Sequence, residues 1–134
     1  MIVDASAVVA ILRNEPEADA FTQALERASR TRAGARISAV SFVEAAIVID
    51  GNRDPIISRR FDEFIKESRI LIEPVTIEQA QIAREAFRDF GRGSGHPAKL
   101  NFGDCFSYAL ASATGEPLLF KGNDFSRTDL KVAR

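Results

Sequence analysis

The sequence predicts an α/β fold: an α/β/α sandwich around a central, mainly parallel sheet of four to five strands. Three observations carry this expectation. Short apolar runs alternate with longer amphipathic segments along the whole chain. The apolar runs are continuous rather than interleaved with polar residues, as in strands covered on both faces. No repeat, low-complexity tract or linker interrupts them, and 134 residues suit a single domain over 1–134 with one core.

The first element is a strand. "MIV" is apolar and ends at Asp4, and "ASAVVAILRN" continues at once as a helix. Pro16 opens a second helix over about Glu17–Arg30, with Ala18, Phe21, Leu25 and Ala28 at helical spacing. "ARIS" supplies the second strand. "AVSFVEAAIVID" is a helix that Gly51 and Asn52 end. Ile56 to about Glu67 forms another, with Phe61, Phe64 and Ile65 on one face. "RILIEPV" is the third strand, closed by Pro74. Thr76 caps a long amphipathic helix carrying Ile82, Ala83, Ala86, Phe87 and Phe90. "GRGSGHPAK" is a loop. The next helix opens near Asp104 and stops at Gly115. Its apolar stripe is Phe102, Cys105, Phe106, Ala109, Leu110 and Ala113. That stripe sets Asp104 on the opposite side, with Ser107, Tyr108 and Ala111. "PLLF" is the fourth strand, "KGND" a turn and "DLKVA" a candidate edge strand.

Composition narrows the function. Hydrophobic residues make up 46% and charged residues 28%, the balance of a folded rather than a disordered chain. The net charge of -1 gives no overall basic footprint, so a nucleic-acid partner would need a local patch. The run Arg27, Arg30, Arg32 and Arg36 is either a solvated face or a set of phosphate contacts. Cys105 is the one cysteine and His96 the one histidine, which excludes an internal disulfide and a Cys/His zinc site. There is no signal-peptide pattern and no apolar run near the roughly 18 residues of a membrane span. A soluble, cytoplasmic protein with no membrane association is expected. Nucleotide-binding glycine loops and a nucleophile elbow are absent from the sequence.

The acids are more informative. In open α/β sheets, ligands bind outside the carboxyl ends of the strands. Asp4 stands there, and Asp124, in "FKGNDF" after the fourth strand, falls on the same edge. Glu44 is the only charge before Asp50 in its apolar helix. Two caps are open to that helix. Ser41 lies at capping-box spacing from Glu44. Ser38 would instead set Glu44 two turns in, facing a cleft. Asp104 stands in a first helical turn, where the macrodipole favours a carboxylate. Each acid has a local role open to it, as N-cap, turn residue or helix-start charge. Gathered in one pocket, the four would repel each other, and a hard divalent cation with oxygen ligands would remove that cost.

"MIVDASAVVAIL", "ISAVSFVEAAIVI", "LNFGDCFSYALASATGEPLLFKGNDF" and the following "TDL" resemble the PIN domain, and more specifically the VapC-type toxins of toxin–antitoxin pairs. The resemblance covers nearly the whole chain in the right order. It implies a Mg²⁺- or Mn²⁺-dependent endoribonuclease, the toxin of a type II pair, that hydrolyses RNA phosphodiesters. It carries Asp4, Glu44 and Asp104 over as catalytic acids. Many members place the fourth acid two positions before an aspartate that precedes Phe. That position is Gly122 here, so Asp124, directly before Phe125, takes the role. Asp4, Asp104 and Asp124 are then the metal ligands. Glu44 completes a second metal position or orients the attacking water. Ser6 matches the hydroxyl residue after the first acid, and Asn123 could add a carbonyl oxygen. The resemblance further implies a homodimer and a cognate antitoxin that inserts Arg or Lys into the acidic pocket. Two rivals stand beside it. One is a degenerate PIN module that binds RNA or a protein without cleavage. The other is a phosphotransferase with Asp4 as nucleophile, which wants a second Asp where Ser6 stands.

Overall fold

The computed structural model describes residues 1–133. Its four short strands are β1 (Ile2–Val3), β2 (Arg36–Ser38), β3 (Leu71–Glu73) and β4 (Leu118–Leu119). They form one sheet in the order β3-β2-β1-β4, and every pairing is parallel. Six helices connect them: α1 (Ala5–Leu12), α2 (Ala18–Ser29), α3 (Ala39–Asp50), α4 (Pro55–Glu67), α5 (Ile77–Phe90) and α6 (Phe102–Thr114). A single 3-10 turn, Phe125–Arg127, follows β4. The candidate edge strand in "DLKVA" contributes one bridge, Val132 to Leu118.

The strand order decides where a cleft can open. After β1 the chain builds outward to β2 and β3, then returns through α5 and α6 to place β4 on the other flank of β1. The order therefore reverses between β1 and β4, and such a switch point leaves a crevice at the carboxyl ends of the strands. The Asp4 amide donates to the Leu119 carbonyl at 2.9 Å, so the ends of β1 and β4 stay together there.

Side chains alternate across the pleat. Val3, Ile37 and Leu119 pack into the layer of α1 to α4, with Val8, Leu25, Ile49 and Phe61. Ile2 and Leu118 face the α5–α6 layer, with Ala83, Ala86, Tyr108 and Leu110. By the same period of two, Asp4 follows Val3 and turns back toward α6.

The helix starts are set by short polar side chains. Asp4, Ser38, Asp54, Thr76 and Asn101 each accept a backbone N–H of the turn they open. Ser38, not Ser41, caps α3. Gly115 closes α6 at φ 69°, in the left-handed region that an L side chain enters only with strain.

Two expectations need correction. β3 is not covered on both faces: Leu71 and Ile72 are 60% and 44% exposed. Among the described strands it has β2 as its one neighbour, at the edge of the sheet. The stripe assigned to α6 is also misplaced. Phe102 is 72% exposed, whereas Asp104, Ser107 and Ala111 are buried. α6 is enclosed between α5, α3 and the sheet, so burial there covers nearly the whole circumference and leaves its N-terminal Phe outside.

This packing predicts a contrast. Leu110→Ala should lower the unfolding free energy by about 2–5 kcal/mol, read as a lower urea midpoint. Phe102→Ala should change it by less than about 1 kcal/mol.

Candidate metal centre

Asp4 leaves β1 at the switch point and is 2% exposed. Both of its oxygens are held. Oδ2 accepts the Ser6 amide at 2.9 Å and the Ser6 hydroxyl at 2.6 Å. Oδ1 accepts the Ser107 hydroxyl at 2.5 Å. The Ser6 hydroxyl in turn accepts the Lys121 amide at 3.0 Å, which ties the loop after β4 to the first acid.

Asp104 is set by a reciprocal cap. Its amide donates to Asn101 Oδ1 at 2.8 Å, and its Oδ2 accepts the Asn101 amide at 2.9 Å. That is the capping box, here with Asn and Asp in the two roles. "NFGD" carries its spacing openly, and Asn101 is a residue that the reading of the acids passed over.

Glu44 enters from α3, which begins at the carboxyl end of β2 and lies against α6. Because Ser38 is the cap, Glu44 stands in the second turn and is half-buried. Gly103 makes room for it. A Cβ built on Gly103 would overlap the Glu44 carboxylate, with its Cδ only 2.5 Å away. Any larger residue at 103 therefore displaces the third acid.

The result is a tight group. One oxygen each from Asp4, Glu44 and Asp104 lie within 4.8 Å of one another. Asp124 is exposed and stands outside that group, at the rim of the same cleft. Asn123 is exposed, and its backbone oxygen accepts the Ser126 hydroxyl at 2.6 Å. Asp4, Ser6, Glu44, Asn101, Asp104, Lys121 and Asp124 line a cleft of about 480 Å³. At roughly 30 Å³ per water, that volume admits a hydrated ion together with a phosphodiester group.

The electrostatics are those of acids pressed together. Burial, then the charges of Asp4 and Asp104, push the Glu44 carboxyl up to about 7. Burial also raises Asp104, to about 6. The Asn101 amide opposes that rise, Asp4 and Asp124 add to it, and Arg92 offsets part of it. Lys121 lines the cleft, yet its ammonium pairs with Glu15 and with Glu17, the latter at 3.5 Å. Among the described residues, no hydrogen bond reaches the Glu44 carboxylate or Asp104 Oδ1. The set is all oxygen and short of positive charge, a donor set that could hold a hard divalent cation. Arg36 points elsewhere: it pairs with Glu116 at 3.0 Å and Glu73 at 3.7 Å, so it splits from the exposed Arg27, Arg30 and Arg32.

Ser107 and Ser41 were absent from the candidate residues. Ser107 was readable as lying one turn beyond Asp104, but its partner Asp4 is 103 residues away. No local pattern announces that contact.

Both raised carboxyls hold protons in the folded chain that the unfolded chain has already released. The metal-free protein should therefore lose stability as pH rises from 4.5 toward about 7. Asp104→Asn should flatten that slope in thermal melts and leave the melting temperature at neutral pH no lower than wild type. A marked drop would make the carboxylate a structural cap instead. Gly103→Ala should keep the fold, because the displaced atoms end a flexible side chain. Mn²⁺ should raise the melting temperature of the wild type and raise that of Gly103→Ala by less.

Comparison with known proteins agrees with this geometry. The PIN domain family profile matches residues 1–131. Ribonuclease VapC28 of Mycobacterium tuberculosis is 56% identical over 133 residues, covering 99% of this chain and 97% of the relative. Among solved structures, Mycobacterium tuberculosis VapC20, described as a Sarcin-Ricin loop cleaving toxin, superposes with a TM-score of 0.75 at 15% identity. It covers 99% of this chain and 98% of that one. A toxin–antitoxin complex from Klebsiella pneumoniae superposes with a TM-score of 0.66 at 17% identity, covering 93% and 89%. With its acids gathered at the switch point of a parallel sheet and a close VapC relative along its whole length, the chain belongs to the PIN domain family, in its VapC branch.

Proposed function

We propose that this protein is a divalent-metal-dependent endoribonuclease acting as the toxin of a toxin–antitoxin pair. The observation that carries the reading is the group formed by Asp4, Glu44 and Asp104, with one oxygen from each within 4.8 Å of the others. The named activity of the VapC relatives supports RNA as the substrate.

The donor set fits Mg²⁺ or Mn²⁺. It offers carboxylate oxygens, and the upward displacement of Glu44 and Asp104, due first to burial and then to the neighbouring acids, supports a site that a cation would relieve. Asp4 and Asp104 would hold the ion, with Glu44 on the third side and Asp124 reaching in from the rim. When bound, the ion supplies Lewis-acid stabilisation of the attacked phosphate and lowers the pKa of a coordinated water. The chain's own residues do the rest. Ser6 and Ser107 fix the two oxygens of Asp4, and Asn101 fixes one oxygen of Asp104. Glu44 is placed to orient the attacking water. The amide of Lys121, through Ser6, keeps the Asp124 loop against the site.

The reading extends to partners. A cognate antitoxin that places an Arg or Lys side chain among the three acids would satisfy the same unbalanced charge. The Klebsiella pneumoniae complex supports that kind of partner. A homodimer is supported by exposed apolar residues beside the cleft. Phe102 lines one groove with Val43, Ile47 and Val48, and another with Phe87 and Phe106. Ile47 and Phe102 are 67% and 72% exposed, a cost that a partner surface would remove. The reading places the protein in the cytoplasm; no helix among the described residues is long and apolar enough to cross a membrane. One observation favours the alternative of a degenerate module that binds without cutting: Asp124 stands at the rim rather than in the tight group.

The test is RNA cleavage. Purified protein with structured RNA and Mg²⁺ or Mn²⁺ should cut, and a chelator should abolish cutting. Asp4→Asn should reduce the rate by at least about 100-fold, the upper range for disturbing a metal's surroundings. Cutting that persists with chelator contradicts the metal-dependent reading. Binding without cutting selects the degenerate module.

A further inference from the structure

Beneath the three acids lies a pair of buried hydroxyls. Ser41 and Ser107 are both fully buried, at 0% exposure, and their oxygens are 2.8 Å apart. A serine hydroxyl has one proton to give. Ser107 spends its proton on Asp4 Oδ1, at 2.5 Å. The bond between the serines must therefore run the other way, with Ser41 donating and Ser107 accepting. The chain is directional: Ser41 to Ser107 to Asp4.

Its position gives it meaning. Ser107 stands three residues after Asp104 on α6, and Ser41 three residues before Glu44 on α3. In a helix, that spacing puts the two members of each pair on one face. The hydroxyl chain thus joins the three elements that carry the three acids: the end of β1, α6 and α3. On the same two helices Ala45, Ala109 and Ala111 are buried with no hydroxyl, whereas Ser41 and Ser107 carry one at 0% exposure. Burying hydroxyls costs free energy unless they are bonded, and these are bonded to each other and to the carboxylate.

We infer that Ser107 and Ser41 are positioning residues of the metal centre, holding Asp4 in register with Asp104 and Glu44 against their mutual repulsion. This rests on the metal-dependent reading above. Neither serine touches substrate. Ser107 orients the carboxylate directly, and Ser41 orients Ser107. Partners of this kind, one step behind a metal ligand, typically change affinity or activity by about 10–100-fold when removed.

The experiment is calorimetric titration of MnCl₂ into protein stripped of metal with chelator, for wild type, Ser107→Ala, Ser41→Ala and Ser112→Ala. Ser112 is exposed on α6 and serves as the control. Wild type and Ser112→Ala should bind Mn²⁺ alike. Ser107→Ala should bind at least about 10-fold more weakly, and Ser41→Ala should fall between them. In RNA cleavage at subsaturating Mn²⁺, kcat should drop while KM for RNA stays near wild type. The near-ultraviolet circular dichroism of each variant reports whether it is folded, and Ser41→Ala, one bond further from Asp4, keeps the test open if Ser107→Ala unfolds. Mn²⁺ dissociation constants within about twofold of wild type in the folded serine variants overturn the inference. A wild type that binds no Mn²⁺ at the cleft overturns the metal-dependent reading, and the positioning role with it.

Discussion

Three carboxylates share one side of a cleft, with an oxygen from each inside a span of 4.8 Å. In water such acids would separate. Here they cannot, because each is fixed to a different rigid element: the end of β1, the second turn of α3 and the first turn of α6. Burial first, and their mutual repulsion second, raise the protonation of Glu44 and Asp104. Much of the surrounding structure can be understood as bracing against that repulsion. Ser6 and Ser107 hold Asp4, Asn101 holds Asp104, and Gly103 leaves the space that Glu44 occupies.

The bracing also explains why each acid looked ordinary when taken alone. Asp4 is a true N-cap of α1, and Asp104 is a true member of a capping box. Capping would not compete with metal binding here. In Asp104 the cap uses Oδ2, and among the described residues Oδ1 accepts no hydrogen bond. A helix start is a good place for such a group, since the macrodipole lessens the cost of the charge. The parallel sheet supplies the rest by reversing its strand order between β1 and β4, which opens the crevice beside Asp4.

How much of this was legible in the sequence depends on range. The layered α/β architecture was readable because the strands are short apolar runs and the helices carry polar caps at their starts. Asp4 and Asp124 could be placed on one edge by counting strands. The face of α6 was misread because periodicity separates inside from outside only when one side of a helix meets water. α6 is wrapped, so Asp104 and Ser107 are buried where a stripe would put solvent. β3 was misread for the opposite reason: Ile70, Leu71 and Ile72 form a continuous apolar run, but the edge position buries Ile70 and leaves Leu71 and Ile72 exposed. The cap of α3 could not be chosen from spacing, since Ser38 and Ser41 both fit a helix start. The Ser41–Ser107–Asp4 chain was invisible, because its links span 66 and 103 residues and depend on the finished fold.

The central claim is that the gathered acids exist to hold a divalent cation. Anomalous diffraction from crystals grown with Mn²⁺ tests it most directly. The account predicts one dominant anomalous peak in the cleft, in contact with oxygens of Asp4 and Asp104 and beside Glu44. An empty cleft at saturating Mn²⁺, with the three carboxylates splayed apart or neutralised by Lys121 or Arg92, would contradict it.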